Sequence, residues 1–415
     1  MRLSSTPFGV LFGTLIFLGR ATAAAAPEAP VPTLAVTIRL MGANPRMGDP
    51  IPMEVTVKNL GAAPFEYTSY PGRFGPLQLQ AREVTGRAVT DPNAIDQRGI
   101  AETVSLRPVT VPPGGSSTVV VDLNEWALIR APGNYTVTST FRGYFVSTHA
   151  TILADSSAIT VAVQPRSEKE MAAHVADLTA KLRAAGDLQV RYELASQLMF
   201  TGREEIVPAL LESMRVYGGG FAESRAFLFY LPHSAAIRQA IMDDSARHGL
   251  TNSTEGLLRH YALPSPKGIS VNDSDNNITA AEMRPLIARS LALDNPDCWA
   301  AGCNAALRYP DDSLTPLLIA MTETTKVPAV YMVSTPDGPM NYIAQTAIQD
   351  LAFNRTDESV QALKKLLQSP DPKIAEVTAN GIRTSYLSGN SYNQGHRLLP
   401  GDFDPSLQKP EPKKN

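Results

Sequence analysis

The feature that most limits the folds open to this chain is a change of hydrophobic period near Ser167. Before it, Leu34, Val36, Ile38 and Leu40 alternate with polar or small residues, as a half-buried strand requires. After it, Ala, Leu, Glu, Lys and Arg recur at helical spacing, with Val175, Leu178 and Leu182 on one face. Side chains alternate faces every residue in a strand and return every three to four in a helix. One segment cannot serve both patterns, so a run of strands followed by a run of helices predicts two cores. At 415 residues, each half is long enough to bury one. The predicted class is all-β plus all-α, with the boundary at Pro165.

The first half, residues 34–165, repeats the alternation at Met53, Val55 and Val57, at Leu77, Leu79 and Ala81, and at Val119 and Val121. It returns at Tyr135, Val137 and Phe141, and again at Ile159, Val161 and Val163. Turn-forming clusters separate the runs, among them Gly48-Asp49-Pro50, Pro112-Pro113-Gly114-Gly115 and Pro132-Gly133-Asn134. Seven or eight short strands without a convincing helix predict an antiparallel β-sandwich. GDPIPMEVTVKNLG (48–61) resembles the second strand of immunoglobulin-like modules of exported bacterial proteins, ending in an Asn-x-Gly turn. APGNYTVTSTF (131–141) resembles the sixth. That resemblance implies that the Tyr135 hydroxyl bonds back to the preceding turn. It also raises association with secreted hydrolases or their inhibitors, although the antibody-type Cys…Trp…Cys core is absent. Phe65, Tyr67 and Tyr70 could stack on a sugar or peptide; Phe65 and Tyr67 share a strand face, which favours packing. Asp91–Gly99 is the longest polar loop and a candidate recognition loop.

The second half, residues 166–395, reads as helix pairs. Ser167 and Glu170 form a capping box. RYELASQLMFTG (191–202) ends at glycine and REEIVPALLESM (203–214) follows, with Pro208 near its start. WAAGCNAALRYPDDSLTPLLIAM (299–321) places Pro316 where the first copy has Pro208, and Ala306 where it has Leu198. NYIAQTAIQDLAFNRTDESVQALKKLL (341–367) aligns Leu351 with Leu198 and Leu363 with Leu210. Further helices are expected over 222–231, 234–249, 254–262 and about 279–293, with Pro285 kinking or delaying the last. A final one starts at Asp371-Pro372. These units resemble HEAT or armadillo repeats, which implies an α-solenoid that binds proteins or peptides along its surface. A globular helical bundle is the alternative.

The termini suggest a compartment. Arg2, the apolar run FGVLFGTLIFLG (8–19) and Ala21-Thr22-Ala23 form the three parts of a secretory signal over residues 1–26. The apolar run is too short to span a bilayer, with an uncleaved N-terminal anchor as the alternative. The expectation is an exported periplasmic or extracellular protein without an integral membrane segment after cleavage. Residues 27–33 read as a flexible lead-in, and 396–415, rich in proline and polar residues, as a disordered tail. Loss of Arg2 and Arg20 with the leader takes the formal charge from −3 to −5. Ten basic and ten acidic residues balance over 34–165, whereas 166–395 holds 21 basic and 26 acidic. Neither half has the basic surplus of a nucleic-acid binder.

Motifs for chemistry are few. Cys298 and Cys303, an even count in an exported chain, form either a disulfide or two buried thiols. Five residues apart in a regular helix sets their Cα atoms about 8 Å apart, beyond disulfide reach unless the turn after Pro296 is irregular. Cys298-Trp299 matches a fragment of the papain-like nucleophile motif whose remainder is missing. NDSDNN (272–277) begins like a calcium loop, but Ile278 and Arg284 stand where glycine and glutamate belong. The six histidines (149, 174, 233, 248, 260, 396) show no metal spacing. Gly218-Gly219-Gly220 lacks a following phosphate-loop lysine, and no Gly-x-Ser-x-Gly elbow occurs. The expectation is a non-catalytic interaction or scaffold protein without cofactor, its partner a protein or peptide held on the helical surface. The alternative is an accessory or inhibitory protein of a secreted hydrolase, with the β half making contact.

Overall fold

The computed structural model describes residues 33–42, 44–69, 76–92, 107–144, 151–217, 221–262, 278–324, 327–335, 338–387 and 398–408. The expected signal, Tyr70, most of the 91–99 loop, His149, Gly218–Gly220, the 272–277 run, His396 and the closing lysines lie outside them.

Among the described residues, nine antiparallel strands make up the first half. Strands β1 (Leu34–Leu40), β2 (Pro52–Asn59) and β6 (Ser116–Asp122) form one sheet in the order β1-β2-β6, and β3 (Phe65–Ser69) pairs with β5 (Arg107–Val111). The long strand β7 (Gly133–Tyr144) takes β4 (Leu77–Glu83) on one edge. Its other edge is shared by β8 (Thr151–Asp155) and β9 (Ile159–Val163), which pair with successive halves of β7. At the break between them Ser156 exchanges bonds with Ser139, its hydroxyl accepting from the Ser139 amide at 2.9 Å. Residues at the alternating positions, such as Leu77, Leu79 and Ala81, are buried while Gln78 and Gln80 are exposed, and all strand groups share one core. Strands β5 and β8 escape the period-two reading. Pro108 interrupts the first, and the second has apolar residues on both faces, Ile152 buried and Leu153 exposed.

The second half holds twelve described α-helices: α1 (Glu168–Ala184), α2 (Leu188–Thr201), α3 (Val207–Tyr217), α4 (Phe221–Arg225), α5 (Ala235–His248) and α6 (Asn252–Ala262), followed by α7 (Ala280–Ala292), α8 (Pro296–Arg308), α9 (Thr315–Thr322), α10 (Tyr342–Phe353), α11 (Asp357–Leu367) and α12 (Pro372–Leu387). Odd-numbered helices pack on one another in succession and form one row. Even-numbered helices form the other, with α4 reaching α6 through a π turn at Ala226–Tyr230. Each odd helix also packs on the even helix after it, so one apolar core runs the length of the half. The positions aligned between copies, Leu198, Ala306 and Leu351, and Leu210 and Leu363, are all buried. Capping boxes close the starts of α1 (Ser167 with Glu170) and α7 (Thr279 with Glu282), and α7 runs through Pro285.

Three expectations for this half are corrected. It is not wholly helical: β10 (Met332–Thr335) and β11 (Gly338–Asn341) form a hairpin between α9 and α10. The expected helix over 222–231 is a short α-helix that widens into the π turn, closed by the Leu231 amide donating to the Ala226 carbonyl at 2.9 Å. The described part of the segment read as a disordered tail is packed. Leu398 and Phe403 are buried against the helices, and Arg355 grips Asp402 through two bonds of 2.8 and 3.0 Å. The segment packs against α12, where the Tyr386 hydroxyl donates to the Leu399 carbonyl at 2.8 Å.

Candidate functional site

Among the described residues a cleft lies where the two halves meet. The strand-to-helix connection fixes this junction locally. Gln164 exchanges backbone bonds with Pro45 and Met47, so the 45–49 loop is stitched to the end of the β half as α1 begins. Gly48, at φ +85°, lies against α1 and α2; a Cβ there would meet Met171 Cε at 3.2 Å and Thr201 Cγ2 at 3.4 Å. Arg46 donates to Glu170 at 2.8 Å and Arg166 to Asp49 at 2.7 Å, each spanning the loop and the helical start.

A second set of contacts comes from the short 3-10 turn Leu123–Glu125 after β6. Arg225 of α4 donates to Glu125 at 3.2 Å, both side chains largely buried. The Tyr230 hydroxyl donates to the Asn124 carbonyl at 3.1 Å, and Arg130 donates to the Tyr230 carbonyl at 2.5 Å. The π turn supplies Tyr230 to the β half and α4 supplies Arg225. Asn124 is itself held, its side chain accepting from the Ile51 amide at 2.8 Å and donating to the Asp49 carbonyl at 3.2 Å. Burial, and then the charge of Glu125, push the Asp122 carboxyl up to about 6.

Between these contacts opens a cleft of about 360 Å³, walled from both halves. Met47, Leu128, Met171, Met199 and Phe200 give it an apolar lining, while Arg130, Arg166, Arg203 and Glu168 bring charge. Gly202 ends α2 at φ +62° and forms part of the wall; a Cβ there would stand 3.0 Å from Arg130 Nη1. His174 on α1 lies 3.7 Å from Asp49, but burial and the neighbouring Arg166 lower its pKa, so it stands neutral rather than as an ion-pair partner. The chemistry open to this cleft is the holding of an anionic group beside an apolar one.

The residues singled out in sequence do not converge on it. Cys298 and Cys303 are unbonded and buried in this structure. Both lie in the regular helix α8, where five residues turn the side chains about 140° apart. Burial and then Asp297 push the Cys298 thiol up to about 11; burial and then Asp350 raise that of Cys303 as well. Neither has the thiolate character of a nucleophile. Phe65 and Tyr67 are buried, stacked at 5.8 Å and packed edge-on against Phe141. The Tyr135 hydroxyl donates to the Ala131 carbonyl at 2.6 Å, back to the preceding turn. Among the described residues no three His, Cys, Asp or Glu side chains gather as a metal site requires, and no helix is long and apolar enough to cross a membrane. The junction arginines went unnoticed in sequence because their partners across the junction lie 100 to 124 positions away, and no spacing rule connects them.

Residues 44–164 match the family described as Flagellar collar protein C, N-terminal domain. Comparison with curated proteins returns no match. Among solved structures, a β-glucosidase from Listeria innocua in complex with isofagomine is 14% identical over 32% of this chain, with a TM-score of 0.19; the match spans 16% of the enzyme's length. The structural-genomics target SoR45 is 12% identical over 32% of this chain and 86% of its own, at a TM-score of 0.19. BslA, a bacterial hydrophobin, is 17% identical over 34% of this chain and 99% of its own, at 0.18. Likeness this low says nothing about function.

Proposed function

We propose that this protein is a non-catalytic scaffold of the bacterial cell envelope, exported to the periplasm or the cell surface, that works in an assembly of the flagellar-collar kind. The β half, read as an immunoglobulin-like sandwich, belongs to the assembly; the two helix rows, read as a HEAT-like solenoid, present the surface for a protein or peptide partner. The observation that carries this reading is the family match over residues 44–164, nearly the whole β half. The junction supports it, because a scaffold transmits position only if its parts are fixed to each other, and Arg225–Glu125 and Arg166–Asp49 tie these two across sequence. The hairpin between α9 and α10 supports a contact on the helical half: Val330, just before it, is 81% exposed and Val333 is 41% exposed.

The test is co-purification of flagellar basal bodies from the native host with the tagged full-length protein, alongside Val330→Asp/Val333→Asp and Val119→Lys/Val120→Lys. Enrichment lost in the hairpin variant and kept in the β6 variant is the expected result. Absence of the wild type from basal bodies sinks the collar assignment. Loss on changing β6 alone moves the contact to the β half, as in an accessory protein of a hydrolase.

A further inference from the structure

Residues 398–408 form a small body held by its own bonds. The Asp402 carboxylate accepts from the Leu399 amide at 2.6 Å, the Asp402 amide donates to the Leu399 carbonyl at 2.9 Å, and a 3-10 turn follows at Pro405–Gln408. Three side chains from separate places on the helical half grip this body. Arg355, between α10 and α11, holds Asp402 through two bonds, a fork geometry suited to a carboxylate. The Lys364 ammonium of α11 lies 5.9 Å from the centre of the Phe403 ring, and the Tyr386 hydroxyl of α12 donates to the Leu399 carbonyl. Leu398 and Phe403 join the apolar core, at 5% and 8% exposure. The charges are complementary: the body carries Asp402 and Asp404 and no cation, and the gripping cations are Arg355 and Lys364.

We propose that the surface carrying Arg355, Lys364 and Tyr386 is a docking site for this segment of a second copy, so that copies of the chain join by exchanging residues 398–408. The bonds that shape the body lie within it, and the three gripping residues all precede residue 388. An exchanged segment therefore meets the same partners as it meets in its own chain, and only the connection differs. Ten residues, 388–397, join α12 to the segment, a length that spans at most about 33–36 Å, or several helix diameters. So short a connection holds the segment at its own site at an effective concentration in the millimolar range, and a lone molecule closes on itself. Copies crowded in an assembly stand at comparable local concentrations, and two segments exchanged between the same two copies reinforce each other. This holds for any assembly of the chain and does not rest on the collar assignment.

The test is charge reversal in the full-length protein. Arg355→Asp sets a like charge against Asp402, and Asp402→Arg sets one against Arg355, so neither variant closes on itself. In an equimolar mixture Asp402 of the first variant meets Arg355 of the second, and the two introduced charges match as well. Sedimentation velocity should show each variant alone as a monomer and the mixture as a one-to-one complex. A peptide of residues 398–408, capped at both ends, is then titrated into each variant. It should bind Asp402→Arg, whose Arg355 is intact, at least about tenfold more tightly than Arg355→Asp, the factor set by a charge-assisted hydrogen bond. Asp402→Asn, which keeps the shape of the side chain, takes the place of Asp402→Arg in the titration if charge reversal unfolds the chain. No complex in the mixture, a complex in either variant alone, or equal peptide binding by the two variants each overturns the proposal.

Discussion

His260 and Asp350 give this protein opposite responses to pH. The His260 ring packs edge-on against His233 at 5.4 Å and Tyr261 at 5.2 Å; burial, and then the His233 charge, bring its pKa down to about 4. The depressed value means that the fold holds the neutral ring. Its contribution is complete above about 6.5, the unfolded value, and is lost as pH falls toward 4, at up to about 1.4 kcal/mol per pH unit. His260→Gln should flatten the fall in melting temperature between pH 6.5 and 4.5. Asp350 lies on α10 with both carboxyl oxygens buried and without a hydrogen-bond partner, and desolvation raises its pKa well above the ordinary value. The raised value has the other sign: its contribution is present below about 3.8 and declines as pH rises, because only the unfolded chain can then ionise. Asp350→Asn should therefore gain most relative to wild type near pH 7 and least near pH 4. An equal difference in melting temperature at both values would refute that. Neither site was legible in sequence. A histidine or aspartate inside an amphipathic run gives no sign of which neighbours close over it.

At the scale of elements, local signals and buried networks differ in weight. Ser167 caps α1 and Gly202 ends α2 in the left-handed region, and both positions read correctly from sequence because a cap is a contact within four residues. Ser167→Ala should cost about 1 kcal/mol, read as a small shift of the urea midpoint. Arg191 is a larger matter. It donates to the Leu182 and Ala185 carbonyls at the end of α1, at 3.1 and 3.0 Å, and to Ser213 on α3 at 2.9 Å. Ser213 in turn donates to Glu223 on α4 at 2.5 Å. One buried guanidinium thus connects the first four helices. Arg191→Met leaves the Leu182 and Ala185 carbonyls and the Ser213 hydroxyl without their charged donor and should cost about 1.5–3 kcal/mol. A loss no larger than that of Ser167→Ala would show that the network adds little. The helix periods announced where α2 and α3 lie, but not that Arg191 points inward, since an arginine on a helix is usually solvated.

For the whole molecule the decisive contact is Glu125 with Arg225, from the last turn after β6 to α4, both largely buried. Glu125→Gln removes the charge that compensates Arg225 and should cost about 3–5 kcal/mol, and the loss falls on the joint rather than on either core. Calorimetry should show one melting transition in the wild type and two in the variant, with the double variant Glu125→Gln/Arg225→Met recovering part of the loss. One transition in all three would mean that the halves are coupled elsewhere. The period change near Ser167, the succession of a strand half and a helix half, the capping box of α1 and the glycine end of α2 came from sequence alone, because each depends on neighbours within a turn or a strand of one another. The two helix rows, the hairpin between α9 and α10 and the packing of Leu398 and Phe403 came from the tertiary structure, as did the junction cleft. Those features join residues far apart in the chain, and their energies depend on burial and charge compensation that exist only once the distant surfaces have met.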